Sequence, residues 1–117
     1  MLIEYPQLDY VHEDERGVLK QLVHNGFKQV NYVFSCKGSS RGGHYHIKND
    51  ELFFIISGKF NLILEKGEIK EEYDFSGGSF FLIPRGVKHS FDYTEDTMLI
   101  SMYSDGVEME DGMDIHQ

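Results

Sequence analysis

Two histidines and a glutamate in one short stretch are residues of the types that bind metal ions. His44 and His46 are two positions apart, and four residues separate His46 from Glu51. On an extended chain, side chains at positions i and i+2 point to the same face. We therefore expect both imidazoles to point to one side of a strand and Tyr45 to point to the other.

A second stretch supplies a third imidazole. His89 follows the sequence Pro84-Arg85-Gly86, which predicts a turn that redirects the chain. Three imidazoles and one carboxylate are a ligand set for one divalent transition metal, with Zn, Fe, Mn and Ni as candidates. Burying these groups without a metal or water would cost several kcal/mol. The alternative is a set of polar residues that only form hydrogen bonds with one another inside the protein.

Alternating apolar and polar residues predict the strands that must position these groups. Residues 29–36 and 59–65 alternate throughout, and residues 89–93 place His89, Phe91 and Tyr93 on one face. We expect further strands at 17–24, 51–56, 68–75, 80–83 and 97–103. Asn25-Gly26 predicts a hairpin turn. No window has the periodicity of a long helix, so the sequence predicts an all-β sandwich or barrel.

The remaining segments lack such a pattern. Residues 1–16 are polar and interrupted by Pro6, and residues 38–43 form a Gly- and Ser-rich loop. The tail, residues 105–117, carries five acidic residues among thirteen. We expect this tail to be frayed or draped on the surface.

Composition excludes several classes of function. A net charge of −9 argues against a nucleic-acid partner, which needs clustered Lys and Arg. No apolar run approaches the roughly 20 residues of a membrane helix, so no membrane association is expected. The single Cys36 excludes an internal disulfide framework and is typical of a cytoplasmic protein. A chain of 117 residues has room for one core, and we expect a single domain over residues 1–117.

The spacing of these residues resembles the two motifs of the cupin superfamily. Gly38-x5-His44-x-His46-x4-Glu51-x6-Gly58 fits the first motif at every fixed position, and Gly78-x5-Pro84-x-Gly86-x2-His89 fits the second. Only the last place departs, where Tyr93 replaces the usual Asn. The resemblance implies a small jelly-roll β-barrel. The barrel would span about residues 17–103, followed by the acidic tail.

A closer resemblance is to the sugar-nucleotide branch of this superfamily. Asp14-Glu15-Arg16-Gly17, Phe27-Lys28-Gln29-Val30-Asn31 and Arg41-Gly42-Gly43-His44-Tyr45 are similar to segments of dTDP-4-dehydrorhamnose 3,5-epimerases and dTDP-hexose ketoisomerases. The resemblance implies that His44 is catalytic and that Arg41 contacts nucleotide phosphates. His46 matches the ketoisomerases, whereas the epimerases carry Gln there.

Two positions depart from that branch. Glu51 stands where the ketoisomerases carry Gln, and His89 completes a metal set that those enzymes do not need. The metal-bound cupin domain of some capsular-polysaccharide reductases is similar in its His-Tyr-His segment. A histidine whose lone pair is bound to a metal cannot act as a base. If all four ligands coordinate, the proton carrier must be another residue, and Tyr93 is the first candidate and Tyr103 the second.

The sequence leaves three functions open. The first is an epimerase or ketoisomerase acting on a nucleotide-linked keto sugar in surface polysaccharide or deoxysugar synthesis. The second is a metal-dependent dioxygenase acting on a small molecule, because three His and one Glu around Fe or Mn are suited to oxygen chemistry. The third is a non-catalytic sugar- or metal-binding module. The substrate-binding residues expected for the first are Arg41, Gln29, Asn31 and Lys48, with a nucleotide sugar as the small-molecule partner.

The apolar face of one strand predicts self-association. Val30, Tyr32 and Phe34 share a face of the strand at residues 29–36, and an apolar strand face of this kind can pack between two subunits. We therefore expect a homodimer.

Overall fold

The computed structural model describes residues 1–107 and 112–117, and its regular elements in these ranges are all strands. The all-β class is thereby confirmed. Ten strands are formed in the described part of the chain: β1 Tyr10–Asp14, β2 Gly17–Gln21, β3 Gln29–Ser35, β4 Ser40–His44, β5 Glu51–Ser57, β6 Lys59–Lys66, β7 Ile69–Ser76, β8 Phe80–Ile83, β9 Lys88–Tyr93 and β10 Thr97–Tyr103.

Eight of these strands form two antiparallel sheets of four. The first sheet has the order β3-β10-β5-β8 and the second the order β4-β9-β6-β7, while β1 and β2 form a separate hairpin. Two sheets with strands exchanged between them in this way are consistent with a jelly roll.

The core lies between the two sheets. Phe53 and Ile55 of β5, together with Phe81 of β8, belong to the same buried cluster as Phe60 of β6 and Phe91 of β9. The Phe53 and Phe81 rings are stacked with centroids 5.2 Å apart, and Phe53 lies 5.3 Å from Phe91 of the opposite sheet. These aromatic contacts join the sheets and fix the frame on which the polar site is built.

Strand alternation decides which residues face the core. In β6, Phe60, Leu62 and Leu64 are buried while the residues between them are half-buried, as the sequence predicts. In β3 the more apolar face points outward: Val30 is 65% exposed and Tyr32 is 60% exposed. The face that carries Asn31 and Ser35 points inward instead.

Several predicted elements differ from the structure. Residues 10–14, predicted to be irregular, form β1 and pair with β2 around a turn at Glu15-Arg16. The predicted hairpin at Asn25-Gly26 is wrong, because β3 pairs with β10 and not with β2. Residues 40–44, predicted as part of a loop, form β4 on the edge of the second sheet, where β9 supplies backbone partners.

The acidic tail is more ordered at its end than its composition predicts. Residues 112–117 lie against the segment at residues 45–49, through a backbone bridge between Tyr45 and His116. Of the two predicted alternatives, frayed or draped on the surface, this part follows the second, and residues 108–111 lie outside the described residues. In the described part of the chain, no helix has the length and apolar character needed to cross a membrane.

Candidate active site

The structure brings the three predicted histidines together. One ring nitrogen each from His44, His46 and His89 lies within 4.8 Å of the others. The His44 ring centroid is 4.6 Å from that of His89 and 5.2 Å from that of His46. His46 and His89 are buried, whereas His44 is half-buried. The cluster therefore has a closed side, formed by His46 and His89, and a more open side at His44.

Pairing between β4 and β9 places His44 beside His89. The two residues are cross-strand partners, and the register shifts between Gly42 and His44. Gly42 has a φ of 109°, and a Cβ there would lie 2.5 Å from the carbonyl oxygen of His89. Glycine is therefore required at this irregularity, since it allows the backbone of β4 to approach β9 closely.

The segment around His46 is held by the turn that precedes β9. The amide of Gly86 donates a 2.6 Å hydrogen bond to the carbonyl oxygen of His46. Arg85 in the same turn donates to the carboxylate of Asp50 from its backbone amide at 3.0 Å and from Nε at 3.2 Å. The predicted turn at residues 84–86 thus ties the first motif to the second.

Glu51, the first residue of β5, completes the cluster from the opposite sheet. Its Oε1 lies 3.4 Å from Nε2 of His46 and 3.7 Å from Nε2 of His89. Within the described residues, Nε2 of His46 and Oε1 of Glu51 are both buried without a hydrogen-bond partner. Unpaired buried polar atoms are rare and costly. Two such atoms facing each other in a set of nitrogen and oxygen donors fit a divalent transition metal ion.

The protonation states of His44 and His89 are compatible with binding of a metal ion. Burial, together with the charges of the neighbouring imidazoles, lowers the pKa of His44 to about 4. Burial, aided by His46, lowers the pKa of His89 to about 4. Both imidazoles are therefore neutral near pH 7, the form that binds a metal. Burial is the largest single influence on His46 and opposes its charged form, but the neighbouring carboxylate of Glu51 and the contacts with Asp114 together outweigh it and raise the pKa of His46.

Hydrogen bonds to backbone carbonyls fix the orientation of the two buried rings. Nδ1 of His89 lies 3.2 Å from the carbonyl oxygen of Val87, and Nδ1 of His46 lies 2.7 Å from the carbonyl oxygen of Asp114. A carbonyl oxygen can only accept, so each Nδ1 carries the proton. The two Nε2 atoms are therefore the ones that face Glu51.

The open side of the cluster borders a cavity of about 570 Å³. This volume lies within the range of small-molecule sites. Seven of the residues that the sequence singles out line the cavity: Asn31, Arg41, His44, Glu51, His89, Tyr93 and Tyr103. The other walls include apolar side chains such as Val33, Phe53 and Leu99. The cavity thus combines apolar walls with a few polar groups.

Arg41 is the only Arg or Lys among the described residues that line the cavity. Its Nε donates a 2.8 Å hydrogen bond to Oγ of Ser35, and its Nη2 donates a 3.1 Å hydrogen bond to the carbonyl oxygen of Phe34. The guanidinium is therefore held by β3. It places a positive charge at the cavity of a protein whose net charge is −9.

The two tyrosines have different surroundings. Burial raises the pKa of Tyr93, whereas a hydrogen bond to Ser35 and the charge of Arg41 favour its phenolate. Burial also raises the pKa of Tyr103, and the negative charge of Glu51 adds to that effect. Tyr93 is thus the tyrosine whose phenolate receives stabilising contacts.

Two predicted substrate-binding residues lie away from the cavity. Oε1 of Gln29 accepts a 2.7 Å hydrogen bond from the amide of Val107, and its Nε2 donates to Oδ1 of Asn31. Gln29 therefore orients Asn31. Lys48 lines a second, more open pocket together with Arg85 and Asp105.

Sequence reasoning missed residues that support the site. Ser35 is buried and holds Arg41, whereas the sequence assigned no role to it. Asp114 contacts His46 from the tail, which the sequence predicted to be frayed or draped on the surface and to which it assigned no role in the site. The residue type at position 114 is the one sequence signal that is compatible with this role. Asp is among the few residues that adopt a left-handed backbone conformation, and Asp114 has a φ of 65°.

Comparisons with known proteins agree with this fold. The chain is 30% identical over 107 residues to the spore coat polysaccharide biosynthesis protein SpsL of Bacillus subtilis, covering 79% of this chain and 71% of SpsL. It is 28% identical over 100 residues to the TDP-4-oxo-6-deoxy-alpha-D-glucose-3,4-oxoisomerase of Aneurinibacillus thermoaerophilus, covering 79% of this chain and 72% of that enzyme.

A solved structure shares the whole fold. The WlaRB TDP-quinovose 3,4-ketoisomerase of Campylobacter jejuni superposes with a TM-score of 0.82 at 20% identity, covering 97% of this chain and 91% of that one. This superposition shows that the fold is shared, and together with the 28% identity to the oxoisomerase it confirms the resemblance to the sugar-nucleotide ketoisomerases. The family model described as the polysaccharide biosynthesis C-terminal domain matches residues 12–114. Because this match spans most of the chain, the protein belongs to the polysaccharide biosynthesis C-terminal domain family.

Proposed function

We propose that this protein is an isomerase that moves the keto group of a nucleotide-linked 4-keto-6-deoxy sugar in polysaccharide synthesis. The observation that carries the proposal is the cavity that Arg41 and Tyr93 line together with His44 and His89. The names of two similar proteins, a 3,4-oxoisomerase and a 3,4-ketoisomerase of TDP-linked sugars, support this substrate class. The name of SpsL supports the setting in polysaccharide synthesis.

The reaction is a transfer of protons between neighbouring carbons. A base takes the proton from C3, the C–H electron pair forms a C3–C4 double bond, and the C4 carbonyl oxygen becomes a hydroxyl by taking a proton. The C3 hydroxyl then loses its proton and becomes the new carbonyl, while C4 receives a proton. The product is an isomer of the substrate, so no oxidant or reductant is consumed.

Arg41 is proposed to bind the diphosphate of the nucleotide. A planar guanidinium binds phosphate oxygens in pairs, and a guanidinium already held by protein contacts loses less freedom when it does so. The bonds to Ser35 and to the Phe34 carbonyl supply that restraint. The local positive charge also offsets the unfavourable field of an acidic protein toward an anionic ligand.

Tyr93 is proposed to carry the proton between the two carbons. A phenolate takes the proton from one carbon, and the resulting phenol exchanges its proton with water before it donates one to the other carbon. The Ser35 hydrogen bond and the Arg41 charge favour the phenolate. Tyr93 would therefore be linked to the same two residues that position the phosphate group.

The cofactor proposed for this site is one divalent transition metal ion, held by His44, His46, His89 and Glu51. When bound, such an ion supplies Lewis-acid stabilisation of negative charge on a carbonyl oxygen. Since His44 uses its lone pair as a ligand in this arrangement, it is not available as the base. That exclusion is the reason for assigning the proton transfer to Tyr93.

Incubation with TDP-4-keto-6-deoxyglucose in deuterated water tests the proposed function. We expect deuterium at a ring carbon of the sugar, detected by mass spectrometry and located by NMR, together with a shift of the carbonyl from C4 to C3. Heat-denatured protein is the control for spontaneous exchange. Consumption of oxygen without carbon-bound deuterium would instead identify a dioxygenase, and binding without either change would identify a non-catalytic module.

Substituting Arg41 with Ala should raise KM for the nucleotide-linked sugar by about 10- to 100-fold, since a charge-assisted hydrogen bond contributes roughly 1.5–3 kcal/mol. Activity on the free keto sugar should not change, because that substrate has no phosphate. Steady-state kinetics on both substrates measure the difference. Arg16→Ala is the matched control, because Arg16 lies in the turn between β1 and β2, does not line the cavity and pairs with Asp14. An equal loss with both substrates would contradict phosphate binding by Arg41.

A homodimer is proposed as the working form. β3 lies at the edge of its sheet, and its outward side chains Val30, Tyr32 and Phe34 are 65%, 60% and 43% exposed. A row of exposed apolar side chains on an edge strand is suited to burial against a second copy of the chain.

Light scattering of the wild type should give twice the 13.6 kDa mass of one chain. Tyr32→Glu should reduce the measured mass to that of the monomer. A wild-type monomer at micromolar concentration would refute the dimer.

A further inference from the structure

We infer that the end of the chain positions His46, and that Asp114 is the positioning residue. We call residues 112–117 the C-terminal strap. The carbonyl oxygen of Asp114 accepts a 2.7 Å hydrogen bond from Nδ1 of His46. This contact is the one that gives the buried His46 ring its orientation toward Glu51.

The carboxylate of Asp114 holds the backbone that follows His46. Oδ1 accepts hydrogen bonds from the amides of Ile47 at 2.8 Å and Lys48 at 3.0 Å, and Oδ2 accepts one from Nδ2 of Asn49 at 2.9 Å. The Asp114 side chain is only 6% exposed; of its donors, Asn49 is buried, whereas Ile47 and Lys48 are exposed residues. A carboxylate with several amide donors in such a place fixes the relative position of the two segments.

Asn49 connects the strap to the end of β10. Its Oδ1 accepts hydrogen bonds from the amides of Asp105 and Gly106, each at 2.8 Å, while its Nδ2 donates to the Gly106 carbonyl as well as to Asp114. Asn49 is 1% exposed. One buried amide thus holds residues from both described ends of the tail.

The strap also pairs with the residue that precedes His46. His116 and Tyr45 exchange backbone hydrogen bonds of 2.9 and 3.0 Å, and their rings are stacked with centroids 5.3 Å apart. His46 is therefore held on both sides in sequence, at Tyr45 and at residues 47–49, by the same short segment.

The consequence is a fixed tautomer of His46. With its Nδ1 proton donated to the Asp114 carbonyl, the lone pair of the neutral ring lies on Nε2, which faces Glu51 at 3.4 Å. A hydrogen bond to the second nitrogen of a ligand histidine commonly sets its tautomer and raises its affinity for a metal. The effect on metal affinity depends on the proposed metal site, whereas the orientation of the ring does not.

Cobalt binding to the full chain tests the inference. Asp114→Ala removes the carboxylate anchors, and we expect the dissociation constant for Co²⁺, read from its visible absorption, to rise about 10- to 100-fold. Asp105→Ala is the matched control, because this carboxylate lies in the same tail and pairs at 3.6 Å with exposed Lys28. Asp114→Asn, which keeps an acceptor oxygen for the backbone amides, should recover part of the affinity. Equal cobalt affinity in folded Asp114→Ala and Asp105→Ala would overturn the inference.

Nitrogen-15 NMR of the metal-free wild type gives a test that needs no variant. We expect a proton on Nδ1 of His46 that exchanges slowly with solvent and is lost or exposed in Asp114→Ala. An unprotonated Nδ1 with the proton on Nε2 would overturn the inference even if Asp114→Ala fails to fold. If the wild type binds no cobalt, the proposed metal site fails, while the NMR result still decides the role of the strap.

Discussion

Replacing Tyr93 with Phe is expected to lower kcat for the ketoisomerase reaction by about 10²- to 10⁴-fold, the usual contribution of a positioned acid or base. Only the phenolic oxygen is removed, so the ring keeps its contacts with Phe60 and Phe91. Metal content and KM should change little, because the lost interaction is made only in the transition state. Steady-state kinetics and elemental analysis on the same preparations measure both quantities.

The pH profile identifies which group is lost in this variant. Because burial raises the pKa of Tyr93 above its usual value, the fraction present as phenolate increases about tenfold per pH unit through the neutral range. The wild-type kcat should therefore rise with pH. An unligated His44, with a pKa lowered to about 4, would already be neutral, and the rate would then be flat above about pH 5.

Tyr103→Phe is the matched control for Tyr93→Phe. Tyr103 lines the same cavity, but Glu51 raises its pKa further, so it is the poorer proton carrier and its loss should have the smaller effect. Full activity of Tyr93→Phe, with a flat pH profile and an active metal-free protein, would assign the base to His44.

Replacing His46 with Ala is expected to abolish stoichiometric metal binding. His46 is a buried member of the cluster, and its Nε2 faces the unpaired oxygen of Glu51. Removal of His46 leaves three of the four proposed ligands, so the ion is no longer enclosed. It also leaves the Glu51 carboxylate buried without the imidazole that it faces. Elemental analysis of protein prepared without chelator should give about one metal per chain for the wild type and near zero for the variant.

The control for this change is His24→Ala. His24 is exposed and its Nδ1 lies 2.8 Å from the carboxylate of Asp9, away from the cluster. Its replacement should leave the metal content unaltered. Metal content that is unchanged in His46→Ala would show that the ligand assignment is wrong, and thermal unfolding would show whether the variant keeps its fold.

The sequence by itself predicts the all-β class and the members of the cluster. Strand alternation is a local property, since successive side chains must point to opposite faces. For that reason the pattern at residues 59–65 correctly predicts the buried Phe60, Leu62 and Leu64. Alternation likewise predicts that His44 and His46 share a face, and the resemblance to the cupin motifs implies that His89 joins them, as it does in the structure.

Only the tertiary structure decides which strands are neighbours and what the tail does. Residues 29–35 have the same alternation whether they pair with β2 or with β10, and only packing of the whole sheet selects β10. The same packing turns Gln29 toward Val107, so that Gln29 orients Asn31 and lies outside the cavity.

The contact between His46 and Asp114 joins residues 68 positions apart. A bond of that separation follows from no local pattern, because it exists only when both sheets and the strap are in place. The acidic composition of the tail predicts solvent exposure, since unpaired carboxylates favour water. The Asp114 side chain is instead only 6% exposed, because the backbone amides of Ile47 and Lys48 and the side-chain amide of Asn49 offer its carboxylate the hydrogen bonds that water would have supplied.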